Sequence, residues 1–170
     1  MPENCCENLE TVLAACKAGR KVAKGLTGTL YIACKDDVDT IPAATAMVIA
    51  DDIEMVATKK FYAQHFDKVG SSFKTETQGE GETKSYKTTV TYFIAGIAPE
   101  VSNVYNSTVR GEFMAIVPDK MGNKRLVGDI DYGCEISIIE QTDDKPGMAI
   151  TISWTDHPDL CLYYNGVITL

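Results

Sequence analysis

Residues 108–130, TVRGEFMAIVPDKMGNKRLVGDI, constrain the fold of this chain more than any other stretch. Residues 112–117 form an apolar run suited to a strand, Pro118 and Asp119 end it, and Met121-Gly122-Asn123 leads into a second run over residues 125–130. Strand, turn and strand spell a β-hairpin. A hairpin buries only one face, so it needs partners from elsewhere in the chain.

The strongest partner lies in residues 73–95. Tyr86, Thr88, Val90, Tyr92 and Ile94 fall on one face of an extended segment, with Lys87, Thr89, Thr91 and Phe93 on the other. The polar stretch Gln78, Gly79, Glu80, Gly81 and Glu82 reads as the flexible tip of a long hairpin joining residues 73–77 to 85–95. Residues 134–140 and 148–155 form another hairpin, with Met148, Ile150, Ile152 and Trp154 on its apolar face. Residues 26–34 read as strand, and 53–56 and 61–66 lean the same way. Asn165-Gly166, between residues 160–164 and 167–170, is compatible with a tight turn, with burial of the terminus or assembly as open alternatives.

Two helices are expected. Leu9, Val12, Leu13 and Cys16 share a helical face between a capping Asn8 and a terminating Gly19, and the basic residues Arg20, Lys21 and Lys24 follow. Pro99 opens a second helix, with Glu100 in its first turn and Val101, Val104, Tyr105 and Thr108 at helical spacing. With no domain linker or repeat in 170 residues, the chain reads as one mainly β domain with one or two short helices, its N-terminal residues 1–25 the least defined part.

A formal charge of −8, from 16 basic and 24 acidic side chains, opposes broad binding to nucleic-acid phosphates. No apolar run has membrane-spanning length and no signal core follows the first methionine, so synthesis in the cytoplasm without membrane insertion is expected. The six cysteines, Cys5, Cys6, Cys16, Cys34, Cys134 and Cys161, lack zinc-ribbon spacing and are expected as reduced thiols, Cys134 and Cys161 within the core.

The residues that carry chemistry elsewhere do not assemble into a catalytic pattern here. Asp36, Asp37 and Asp39 lack the spacing and late glutamate of a calcium loop and read as a solvated acidic turn. Ser71 and Ser72 beside Gly70 do not make a nucleophile elbow. Asp129 and Asp131 are a pair that arises by chance in an acidic chain. His157, flanked by Asp156 and Asp159, is the one suggestive base, yet neighbours on a strand face opposite ways and no nucleophile accompanies it, so a polar turn after Trp154 is expected. No catalytic, cofactor or metal site is assigned, and the chain is read as not an enzyme.

The ordered combination SSFKTETQGEGETKSYKTTVTYFI, FMAIVPDKMGNKRLVGDI and MAITISWTDHPDLCLYYNGVI resembles tail tube proteins of tailed bacteriophages, including those in prophages of intestinal bacteria. The resemblance implies a β-barrel or β-sandwich of antiparallel strands with a flanking helix. It further implies usually hexameric rings, stacked into a conduit for DNA in the virion tail. The partners would be other copies of the chain, other tail proteins and passing DNA, with no cofactor. Gln78, Gly79, Glu80, Gly81 and Glu82 would then be an assembly loop, and Asp119, Lys120, Gly122 and Asn123 a surface turn. The alternative is a β-rich ligand-binding or carbohydrate-associated interaction module.

Overall fold

The computed structural model describes residues 26–96, 99–142 and 144–170. The expected helix over residues 8–18 and the basic segment after it lie outside the described residues. The strands in chain order are β1 (Thr29–Cys34), β2 (Val38–Thr40), β3 (Val48–Ile49), β4 (Glu54–Met55), β5 (Tyr62–His65), β6 (Asp67–Gln78) and β7 (Ser85–Ala95). After a helix, Pro99–Thr108, come β8 (Phe113–Pro118), β9 (Lys124–Val127), β10 (Glu135–Gln141), β11 (Gly147–His157) and β12 (Tyr163–Tyr164).

The fold is mainly β, built from several antiparallel sheets with one parallel pair. A six-stranded sheet has the order β3-β12-β9-β8-β1-β5, a four-stranded sheet the order β10-β11-β7-β6, and β2 pairs with β4. The expected hairpins are present: β8 with β9 from Ala115↔Val127 to Pro118↔Lys124, β6 with β7, and β10 with β11. Gly128 ends β9 at a φ of +99°, where a side chain would press on the Phe113 carbonyl.

The opening hairpin behaves differently from a one-faced one. Phe113, Ala115 and Val117 of β8 face a cluster shared with Val90, Tyr92 and Ile94 of β7 and Met148, Ile150 and Ile152 of β11. Met114 and Ile116 face a second cluster with Ile49, Ile53, Phe61, Leu126 and Tyr164. Both faces of β8 are therefore buried, which is why Phe-Met-Ala-Ile-Val contains no polar alternate. The first cluster contains residues from both larger sheets; the second takes in Val38 of β2 and Ile53, with Met55 of β4 and Ile168 packed against it.

The helix docks through Tyr105, whose hydroxyl donates to the Gln64 side-chain carbonyl at 2.6 Å while the Gln64 amide donates to the His65 carbonyl at 2.8 Å. Both side chains are buried, so the pair answers its own polar groups in the interior. The side chains of Glu100, Val101 and Val104 lie outside the described residues.

Three expectations change. Asp37 is buried and ion-paired to Lys59 at 3.2 Å, so the acidic turn is only partly solvated. Asn165-Gly166 does not make a hairpin: β12 runs parallel to β3, and the following residues are tied down by bonds from Phe61 N–H to the Thr169 carbonyl and from Val167 N–H to Asp52. The terminal residues are tied down without being buried: Val167 and Leu170 are 70% and 63% exposed. Cys34 is disulfide-bonded, so the expectation of reduced thiols fails there; Cys134 and Cys161 are free and buried.

Candidate interaction surfaces

The tip of the β6–β7 hairpin is a formed turn. Residues 81–83 make a short 3-10 turn, held by the Thr83 N–H and hydroxyl donating to the Glu80 carbonyl at 3.3 and 2.8 Å. Gly79, Glu80, Gly81 and Glu82 are exposed and Gln78 is half-buried, paired with Ser85 as the last rung of the ladder. Strand β11 supports β7 as far as Tyr86, opposite His157, so the hairpin belongs to the four-stranded sheet and only its tip extends past it. The sequence identifies the hairpin but reads its tip as flexible.

The surface turn after β8 is organised by one carboxylate. Asp119 accepts from the backbone N–H groups of Met121 at 2.8 Å and Asn123 at 3.0 Å, and from the Asn123 amide at 3.3 Å. Gly122 takes a φ of +86°, Lys120 is exposed, and Met121 stands 88% exposed at the apex. This turn and the hairpin tip are both surface features.

The sheet edges are not equivalent. In the six-stranded sheet the edges are β3 and β5, two and four residues long. In the four-stranded sheet β6 is broken by a bulge between Asp67 and Ser72 and carries a Lys74–Glu76 ion pair. Short strands, bulges and charges protect edges from adding a further strand. The fourth edge of the two larger sheets, β10, has seven residues in unbroken register with β11 and no Pro or Lys; it carries exposed Glu135 and Glu140 towards its two ends and Ile139 at 66% exposure between them. The edge position of β10 follows from the strand order of the sheet and has no local signal in residues 134–140, which read only as a framework strand.

His157 is not in a solvated turn. Strand β11 continues to it through an irregularity in which Asp156 adopts a φ of +58°, and this turns the ring inward. The imidazole stacks on Trp154 with centroids 3.8 Å apart. A carbonyl can only accept, so Nδ1–H donates to Asp159, and Nε2 is left to accept from the Thr88 hydroxyl at 3.2 Å. Thr88 Oγ1 in turn lies 3.1 Å from the Cys161 sulfur. Burial lowers the His157 pKa from its ordinary 6.5, offset in part by the Asp159 carbonyl and the charges of Asp159 and Asp156. Burial raises the Cys161 thiol, and it pushes Cys134 to about 12. A neutral thiol beside a weakly basic imidazole is a packed polar chain, the opposite of an activated nucleophile.

A stability prediction follows from His157. As pH falls through 6.5 the unfolded chain takes up the proton before the folded one does, so stability that is complete above that pH declines below it. The thermal midpoint should therefore drop on acidification from neutral, and His157→Gln should flatten that part of the profile. A midpoint for the wild-type chain that holds or rises over this range contradicts the assignment.

Among the described residues no group of three His, Cys, Asp or Glu is placed to hold a metal ion, and no helix is long and apolar enough to cross a membrane. Asp129 and Asp131 sit in an exposed turn, with the Asp129 carboxylate capping the Ile130 N–H, and Ser71 donates to the Lys68 carbonyl. Among the described residues a cleft of about 340 Å³ is lined by Leu26, Ser71, Ser72, Phe73, Val117, Asp119 and Arg125. No family model, no curated protein and no solved structure matches the chain.

Proposed function

We propose that this chain is a non-catalytic, β-rich interaction module that associates through the edge of its four-stranded sheet. The observation that carries the reading is β10, an edge unbroken by bulge or proline that pairs only with β11 among the described residues, with Ile139 exposed between Glu135 and Glu140. An open edge presents a row of backbone donors and acceptors, and a strand from a second molecule satisfies them while covering the isoleucine. Unlike the other three edges of the two larger sheets, β10 is neither short nor bulged, which supports treating it as a contact surface.

A more specific form of the proposal is a subunit of a phage-type tail tube. What favours it is the presence of two separate contact elements on one sheet. β10 offers a lateral edge, and residues 78–82 offer a tip beyond the sheet's end. Side-by-side joining into closed rings uses the first, and stacking of rings uses the second. In this form the six- and four-stranded sheets are the two layers of a β-sandwich around their shared cluster. The charge of −8 suits a wall along which DNA passes without sticking. The subunit would be made in the bacterial cytoplasm and end in the virion tail beside other tail proteins.

Two variants test these elements separately. Ile139→Lys places a charge on the edge at a largely exposed position, so it should weaken self-association about tenfold or more and change folding stability by less than about 0.5 kcal/mol. Removing residues 78–82 leaves Thr77 opposite Tyr86, with a three-residue connection, so the hairpin can still close. Growth of rings into tubes, followed by electron microscopy, should then fall while the folded monomer persists. Unaltered association in Ile139→Lys removes β10 from the mechanism, and unaltered growth in the deletion removes the tip.

A further inference from the structure

The geometry points to a second, independent capability: the cleft beside the Asp119 turn is a recognition site for a small carboxylate with an apolar body. It is centred on Arg125 of β9. This residue pairs with Val117 on one side and Tyr163 on the other, and its guanidinium lies 5.1 Å from the Phe73 ring centroid and 4.9 Å from that of Tyr163. Aromatic faces attract the cation and restrict where it can move. They do not use its N–H donors, which lie in the guanidinium plane. Among the described residues no carboxylate or carbonyl takes those donors, although Arg125 is half-buried. The acid in the same cleft, Asp119, is directed to its own turn by three donors.

A held guanidinium with unspent donors, walled by Leu26, Val117 and Phe73, is complementary to a planar anion joined to an apolar group. Carboxylate fits better than phosphate for an electrostatic reason. One cation balances one negative charge, and a dianion would also meet the Asp119 carboxylate in a protein of net charge −8. The volume of about 340 Å³ admits a ring-sized body. Arg125 sits on a strand in the sheet that does not contain β10, so occupancy of the cleft and edge association can be scored separately.

The test uses the full chain, labelled for amide NMR and titrated with benzoate, inorganic phosphate or benzyl alcohol. Benzoate should give saturable shifts at Phe73, Val117 and Arg125 with a Kd on the order of 1 mM, set by the small size of the probe. Phosphate and benzyl alcohol should bind at least about tenfold more weakly. Arg125→Lys keeps the charge and loses the fork, so it should weaken benzoate binding severalfold, and Arg125→Gln should abolish it. Asp119→Asn keeps a turn-capping oxygen and removes a repulsive charge, so it should tighten binding. Should Arg125→Gln fail to fold, the lysine and asparagine variants still decide the matter. Absence of saturable shifts, equal binding of benzyl alcohol, stronger binding of phosphate, or indifference to Arg125→Lys and Asp119→Asn each overturns the proposal.

Discussion

Tyr164→Ala is expected to destabilise the fold by about 3–5 kcal/mol, read as a shift in the denaturant midpoint with an unchanged slope. Tyr164 is fully buried in the second cluster, packed with Ile49, Ile53, Phe61, Met114, Ile116 and Leu126. Truncation opens a cavity where β8, β9 and β3 meet, and the surrounding strands are hydrogen-bonded and collapse only partly. The hydroxyl adds a second loss. It accepts from the Ile53 N–H at 3.2 Å and donates to the Val167 carbonyl at 2.7 Å, tying the C-terminal residues to the loop before β4. Tyr164→Phe isolates that part and should cost about 1–3 kcal/mol. A cost for the alanine variant no larger than for phenylalanine would show that packing on this face contributes little.

Gly147→Val is expected to have the next largest effect, about 3 kcal/mol or more, with loss of cooperative unfolding if the ladder breaks. Gly147 starts β11, buried between Gln141 of β10 and Ala95 of β7. A Cβ there would stand 2.3 Å from the Ile94 carbonyl oxygen and 2.5 Å from the Phe93 ring. The ring could swing away, but the carbonyl belongs to a strand paired on both sides and cannot yield without disturbing β6 and β11 together. Gly147→Ala should show a smaller loss of about 1–3 kcal/mol, and wild-type stability for either variant would mean that β10 and β11 separate readily at this end.

The sequence made the paired strands visible because they alternate. Tyr86, Thr88, Val90, Tyr92 and Ile94 announce one face of β7, and Thr88 to Ile94 are indeed buried on that face. Met148, Ile150 and Ile152 do the same for β11. β8 was legible as a strand but not as a two-sided one. The missing alternation in Phe113 to Val117 was the available signal, since only a strand covered on both faces tolerates such a run. β12 was obscured because its partners, Val48 and Arg125, are remote in sequence and no local periodicity encodes a parallel pairing. The inward turn of His157 depends on a single backbone irregularity at Asp156, which strand periodicity does not anticipate.

The candidate surfaces divide along the same line. Gly-rich residues 78–82 and the Asp119 turn carry local turn chemistry, so both were recognisable as surface loops. The β10 edge and the Arg125 cleft are products of topology. One exists because, among the described residues, no strand lies beyond β10 in its sheet; the other exists because β6, β9 and β12 bring Phe73, Arg125 and Tyr163 together. Neither has a spacing that could be read along the chain.

The central claim, association through the open sheet edge, is tested most directly by measuring the mass of the full chain in solution from micromolar to millimolar concentration. The account predicts species larger than the monomer that grow with concentration and are suppressed in Ile139→Lys. A chain that remains monomeric at every concentration, with Ile139→Lys indistinguishable from it, contradicts the account.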